Sequence, residues 1–164
     1  MTASIRRAEN AADFRALHEL LLAYEADLAP VLRHGCVLGI AELEGMYRDR
    51  SAAFLAESEG RAIGCVAVNE LDGKTGVIMR MFVLPASRGK GAARALALHA
   101  LEFAKEIGYG RVVLDTEKEQ LPAAYRLYQS LGFSECAPYG AVTYPRPTFM
   151  ELVLRERTSA DDRI

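Results

Sequence analysis

The composition of one six-residue loop suits the binding of an anion: Arg88-Gly89-Lys90-Gly91-Ala92-Ala93. We predict that a helix begins within it, so the unpaired N–H groups and positive dipole end of the first helical turn are available there. The glycines and alanines leave room for an anion to approach those N–H groups, and Arg88, Lys90 and Arg94 add positive charge. The loop is therefore predicted to hold a pyrophosphate.

Two common phosphate-binding loops are excluded by single positions. A Walker loop continues Gly-Lys with Ser or Thr to hold magnesium, whereas Lys90 is followed by Gly91, and Leu84 stands where the first Walker glycine belongs. A dinucleotide fingerprint needs glycine at its sixth position, which here is Arg94. A plain strand-to-helix turn that uses glycine only for its geometry stays open as an alternative at this point.

The segments on either side of the loop predict a buried strand and an amphipathic helix. Residues 78–83 form an apolar run broken only by Arg80, which is typical of a strand covered on both faces, and Pro85 ends it. After the loop, apolar residues recur with a helical period up to Ile107, where Gly108 suits the helix end. The chemistry of the loop is thus expected between a central strand and a packed helix.

The rest of the chain adds strands and helices in a definite order. Strands are predicted at 4–8, 52–57, 61–69, 75–84, 111–116, 133–136 and 149–154, and helices at 10–28, 41–48, 93–107 and 122–131. Asn10 and Asp13 have the spacing of a capping box, and residues 31–40 are ambiguous. Because a helix connects the strands at 75–84 and 111–116, those two run parallel. The predicted fold class is α/β with a mixed sheet.

Length, charge and composition limit the classes of protein. The 164 residues suit one domain spanning 1–164, with a polar, frayed tail at 157–164. A formal net charge of −2 gives no general attraction for nucleic acid. No apolar segment is long enough for a membrane and no signal peptide is recognised, so we expect a cytoplasmic protein. The scattered cysteines and histidines predict neither disulfides nor a metal site.

The loop and two later segments resemble the GNAT superfamily of N-acetyltransferases, in a largely uncharacterised bacterial branch. The spacing Arg-x-x-Gly-x-Ala at 88–93, after a Met-Phe-Val strand, resembles its acetyl-CoA signature. Leu-Tyr-Gln-Ser-Leu-Gly-Phe at 127–133 resembles its Leu-Tyr-x-x-x-Gly-Phe segment, and Val-Leu-Asp-Thr at 113–116 resembles the end of strand five in that branch. The order of elements over roughly 4–155 is that of the GNAT fold, a mostly antiparallel sheet with splayed parallel strands four and five.

The resemblance implies a set of site residues and acetyl-CoA as cosubstrate, without a metal. The cofactor-binding residues are then Met81, Phe82 and Val83 for the pantetheine arm, and Arg88, Gly89, Lys90, Gly91, Ala92 and Ala93 for the pyrophosphate. Tyr128 matches the acid that protonates the leaving thiolate, and a strand N–H near Met81 is expected to bind the oxyanion. Leu121 departs from the family pattern, which has Asn seven residues before the tyrosine.

The sequence leaves the general base and the acceptor open. The candidate bases are Glu25, Asp27, Glu70, Asp115 and Thr116, and His34 lies near the expected acceptor side. The acceptor is expected to be an amine of a small molecule or peptide, bounded by residues 24–44 and by the proline-rich loop at 138–147. The alternative function is a CoA-binding sensor or subunit without catalysis. A homodimer is also expected, because Phe149–Leu154 is predicted to form a sheet edge that needs cover.

Overall fold

The structure, a computed structural model, describes residues 3–154 as one seven-stranded sheet with four α-helices. The strands are β1 (Ser4–Arg7), β2 (Ala52–Ser58), β3 (Arg61–Asp72), β4 (Thr75–Val83), β5 (Arg111–Thr116), β6 (Ser134–Glu135) and β7 (Thr148–Val153). The helices are α1 (Ala11–Asp27), α2 (Ile40–Met46), α3 (Ala92–Ile107) and α4 (Pro122–Ser130), with 3₁₀ turns at Pro30–Leu32 and Pro85–Ser87. The tail predicted at 157–164 lies outside the described residues.

The sheet has the strand order β1-β2-β3-β4-β5-β7-β6. Only β4 and β5 are parallel, and all other neighbouring pairs are antiparallel. The pairing of β4 with β5 covers only Thr75–Val77 against Arg111–Val113, although both strands continue beyond it. The parallel strands therefore part at their C-terminal ends, which confirms the predicted mixed sheet with splayed strands four and five.

A β-bulge bends β4 just where it leaves β5. The register of β3 against β4 shifts between Cys65 and Ala67, so that Arg80 and Met81 share one partner residue. Arg80 has φ 58°, a left-handed backbone conformation that is uncommon outside glycine. Its Nε donates a hydrogen bond of 2.8 Å to the Tyr47 hydroxyl, which itself donates to Asn69 of β3. In the sequence, Arg80 was notable only as the one charged residue in an apolar run.

Apolar residues cover both faces of the sheet. On one face α3 packs through Leu96 and Ala100, which are fully buried, as its helical spacing predicts. On the other face α1 and α2 pack through Leu17 and Leu43. The capping box at the start of α1 is confirmed, because the Asn10 side chain accepts from the N–H of Asp13 at 3.0 Å. Helices therefore pack against both faces of the sheet in which β4 and β5 part.

The last strand is not a sheet edge, which corrects the expectation from the sequence. β7 lies between β5 and β6, and Glu151 and Met150 pair with Ser134 and Glu135 of β6. The short run at 133–136 therefore covers part of the strand that was expected to be uncovered. The edges of the sheet are β1 and the two-residue β6.

Candidate functional site

A cleft of about 840 Å³ lies where β4 and β5 part. Its walls come from the ends of α1 and β4, the loop before α3, and the first half of α4. Eight of the nine predicted cofactor residues line it: Met81, Phe82, Val83, Arg88, Gly89, Gly91, Ala92 and Ala93. Lys90 does not line it. We call this the large cleft.

The glycines of the loop are required by the backbone and leave open space. Gly89 has φ 80° and Gly91, which precedes the first turn of α3, has φ 84°. A Cβ at either position would meet no atom within 4 Å, so the space above the loop is free. No side chain caps the start of α3, which leaves the N–H groups of its first turn available to an anion. The loop therefore fits a pyrophosphate.

Two arginines supply the positive charge of the large cleft. Arg88 lines it, donating from Nε to the Val83 carbonyl at 2.9 Å and from Nη2 to the Asp27 carboxylate at 2.8 Å. Arg94 lines it from the first turn of α3. Since Lys90 lies outside the lining, the charge next to the loop comes from the two guanidinium groups.

The end of β4 offers backbone groups to an extended ligand. Beyond Val77, β4 has no pairing with β5 among the described residues, yet it remains a strand up to Val83. The bulge at Arg80 and Met81 turns this stretch before it reaches the cleft. An extended chain inserted at the split would therefore find unpaired strand groups, as in recognition by strand addition.

Tyr128 is buried and does not line the large cleft. It is 5% exposed, and its ring packs edge-to-face on Phe133 at a centroid distance of 5.9 Å. The pKa of Tyr128 is raised, first by burial and then by Tyr24 and Asp115, whose charges lie close enough to act on it. No hydrogen bond of the Tyr128 hydroxyl is formed among residues 3–154. The phenol is thus protonated near neutral pH, and its O–H can still donate a hydrogen bond to a ligand.

A second, smaller pocket of about 60 Å³ adjoins the large cleft. The two share Tyr24, Leu28, Leu32 and Leu121 as walls. The Tyr24 ring stacks on Phe82 at 5.1 Å, and burial raises the pKa of Tyr24 to about 12. The sequence placed Tyr24 only at the start of the segment 24–44 that was expected to bound the acceptor. We call the second cavity the small pocket.

The end of β5 brings two carboxylates to the small pocket. Asp115 accepts hydrogen bonds from the hydroxyls of Tyr139, at 2.9 Å, and Tyr144, at 2.7 Å. Burial and then Asp115 raise the pKa of both phenols. Thr116 and Glu117 also line the pocket, and each is 4% exposed. Sequence reasoning did not select Glu117, which carries no motif and is recognisable only by its place after β5.

A histidine on the small pocket is oriented by a carboxylate. His34 Nδ1 lies 2.9 Å from Glu25 Oε2, and the other oxygen of Glu25 accepts from the Gly35 N–H at 2.9 Å. Burial acts to raise the pKa of Glu25, but the bonds from Gly35 and His34 prevail and lower it. An ionised carboxylate only accepts, so His34 carries its proton on Nδ1 and presents Nε2 as a base.

Two other candidate bases form ion pairs with arginines. Asp27 lines the large cleft but is paired with Arg88. Glu70 is paired with Arg50 and lies opposite Gly76 in the sheet, at the end where β4 and β5 are still joined. The geometry therefore separates Glu70 from the site.

Two general features concern the described residues as a whole. Within residues 3–154, no three His, Cys, Asp or Glu side chains come together in the manner of metal ligands. None of the helices in the same range has the length and apolar character needed to cross a membrane.

Comparison with known proteins places this geometry in a family. The model of the acetyltransferase (GNAT) family matches residues 10–133. An uncharacterized N-acetyltransferase of Schizosaccharomyces pombe is 37% identical over 97 residues, which are 58% of this chain and 59% of that protein. N-acetylaspartate synthetase of Danio rerio is 35% identical over 112 residues, which are 66% of this chain and 39% of that protein. The matches thus span about half the length of these relatives.

A solved structure extends the likeness to the whole chain. The structure of yncA from Salmonella typhimurium, with its cofactor acetyl-CoA, superposes with a TM-score of 0.77 at 26% identity. The superposition covers 97% of this chain and 98% of that one. The family model matches residues 10–133, and the sheet is split beside the glycine loop. This chain therefore belongs to the acetyltransferase (GNAT) family.

Proposed function

We propose that the protein transfers an acetyl group from acetyl-CoA to a primary amine of a small molecule or peptide. The observation that carries the proposal is the parting of β4 from β5 beside an open glycine loop at the start of α3. Acetyl-CoA supplies an activated thioester that a neutral amine attacks directly. The following paragraphs derive what the residues of this chain contribute.

The loop and the end of β4 provide the binding surface. The first-turn N–H groups of α3 and the guanidinium groups of Arg88 and Arg94 are suited to phosphate oxygens. The backbone of Met81, Phe82 and Val83 is suited to pair with the pantetheine arm as an added strand. Met81 lies at the bulge and lines the cleft, so its N–H is our candidate for stabilising the oxyanion.

We assign the general base to His34, which the sequence left open. A free alkylamine is mostly protonated at neutral pH, since the reference pKa of such a group is about 10.4. Glu25 fixes the His34 tautomer so that Nε2 is free to take the proton. The ring of His34 lies 6.1 Å from that of Tyr24, the residue common to both cavities. His34 therefore lies on the small pocket, next to the tyrosine that also lines the large cleft.

We assign the role of acid to Tyr128. Its hydroxyl keeps its proton near neutral pH, because burial raises the pKa of Tyr128. In the proposed reaction it donates a hydrogen bond, and finally its proton, to the sulfur of the departing thiolate. Tyr24 and Asp115, which also raise the pKa of Tyr128, both line the small pocket.

A CoA-binding sensor without catalysis is the second candidate. Leu121 favours it, because this apolar residue lines both cavities where the family pattern has an amide. Incubation with acetyl-CoA and a panel of amines, followed by release of free thiol, separates the two functions. Thiol release that depends on the amine supports the transferase; tight CoA binding without release from any amine supports the sensor. A cytoplasmic location and a homodimer remain predictions, the latter testable by light scattering.

A further inference from the structure

We infer that the small pocket selects an acceptor with a second positive charge and no carboxylate, namely a linear aliphatic diamine or polyamine. The inference rests on the proposed transferase function and specifies its substrate class. The small pocket would hold the distal ammonium group, while the reacting nitrogen lies where the small pocket meets the large cleft, beside the wall that carries Tyr24 and His34. The argument depends on the charge, the open polar atoms and the size of the pocket.

The charge of the small pocket is negative. Asp115 and Glu117 line it, no lysine or arginine does, and His34, which also lines it, is paired with the carboxylate of Glu25. Neither carboxylate forms an ion pair within the part of the chain that the structure describes. The donors to them are neutral: two tyrosine hydroxyls for Asp115 and the N–H of Gln120 for Glu117. A buried carboxylate is stable when a cation pairs with it, so the pocket is suited to an ammonium group.

Two polar atoms open into the pocket without a partner. Glu117 uses Oε2 to accept from Gln120, and no bond to its Oε1 is formed within residues 3–154. The hydroxyl of Thr116 is also without a partner in that range. Since no fully buried polar side-chain atom of the described residues lacks a hydrogen bond, both atoms must retain access to open space. Both residues are 4% exposed and line the small pocket, so we assign that space to the pocket.

The size and the walls of the pocket define the shape of the ligand. Its volume of about 60 Å³ is small beside the 840 Å³ of the large cleft, which favours a compact end group such as an aminomethyl group. Leu28, Leu32 and Leu121 line both cavities and suit an unbranched methylene chain. An amino acid acceptor, such as the name of the Danio rerio relative implies for that protein, would bring a carboxylate toward Asp115 and Glu117.

Equilibrium binding to the full chain saturated with CoA tests the inference without requiring turnover. Calorimetry compares 1,5-diaminopentane with 1-aminopentane, which lacks the second charge, and with lysine, which adds a carboxylate. We expect the diamine to bind at least about tenfold more tightly than either, since a charge-assisted hydrogen bond contributes about 1.5–3 kcal/mol. Equal affinities, or tighter binding of lysine, would overturn the inference.

Variants assign the effect to the pocket. Glu117→Gln keeps an oxygen for the Gln120 N–H and should lower diamine affinity about tenfold while leaving 1-aminopentane unchanged. Glu119→Gln is the control, because Glu119 is exposed beside Arg146 and does not line the pocket. Equal effects of the two variants would contradict the inference. Absence of binding by every amine also overturns it, whereas the transferase proposal then still stands or falls on CoA binding and amine-dependent thiol release.

Discussion

Arg88 and Asp27 form an ion pair beside the large cleft, with 2.8 Å between Nη2 and Oδ2. Arg88 belongs to the loop before α3, Asp27 ends α1, and both line the cleft. A guanidinium group that is to bind a phosphate must share or leave this carboxylate. Asp27 is therefore a competitor for the group that the sequence assigns to the pyrophosphate.

Asp27→Asn should tighten acetyl-CoA binding by about two- to fivefold, the range expected for a half-exposed ion pair. Arg88→Ala should weaken binding of CoA more than binding of a pantetheine fragment without phosphates, with the difference shrinking in high salt. In the Arg88→Ala background, Asp27→Asn should have no effect on calorimetric affinity. An equal gain in both backgrounds would show that Asp27 acts on the ligand directly and that the pair is incidental.

Gly91→Ala should weaken acetyl-CoA binding by at least about tenfold, because a side chain enters the space where first-turn N–H groups bind phosphate. The matched control is Gly108→Ala at the other end of α3, where φ is 94° and the surroundings are equally open. Both changes should cost about 1–2 kcal/mol of unfolding free energy through backbone strain. Comparable losses of affinity in the two variants would place the phosphate elsewhere.

Tyr128→Phe should lower the turnover number by about 10²–10⁴-fold, the range of general acid catalysis, with little change in acetyl-CoA affinity. The control is Tyr125→Phe on the same helix, whose hydroxyl donates outward to Glu135 at 3.1 Å. That variant should keep its turnover number. If Tyr128→Phe leaves rate-limiting chemistry unchanged, Tyr128 is a packing residue only.

His34→Asn should lower kcat/KM by about 10²–10⁴-fold, because the variant has no group that can take the proton from the amine. The affinity for acetyl-CoA should stay unchanged, since His34 does not line the large cleft. His99→Asn on α3 is the control, since His99 is exposed and its Nδ1 contacts only the Ala95 carbonyl. An unchanged kcat/KM in His34→Asn would transfer the role to another group.

Much of the fold could be predicted because local signals agree with the tertiary structure. The capping box at Asn10, the apolar period of α3 and the glycine after Ile107 each fix an element without distant contacts. The β-bulge at Arg80 could not be predicted, because it depends on the register of β3 against β4. The covering of β7 by β6 is likewise a pairing between distant segments, which composition does not specify.

Some residues of the candidate site could likewise be predicted from the sequence, and others could not. The loop residues were predictable because their function depends on backbone shape, which glycine reports in the sequence. The absence of Lys90 from the cleft lining was not predictable, since the sequence does not tell where a flexible cation points. Glu117 was missed, and the place of Tyr24 between the two cavities was not predicted, because both arise only when α1 meets the end of β5. From the sequence alone, a carboxylate after a strand is interpreted as part of a solvated turn, and its burial becomes visible only in the folded chain.

The three-residue ladder between β4 and β5 links the supply of ligand to the lifetime of the folded chain. Without a ligand, the sheet is joined across its middle by Thr75–Val77 and Arg111–Val113 alone. A ligand that pairs with the rest of β4 binds the folded state only, and at a hundredfold excess over its Kd would add about 2.7 kcal/mol to the unfolding free energy. A cell depleted of acetyl-CoA would then expose more of this protein to proteases, so its abundance would follow the metabolic state as well as its own synthesis.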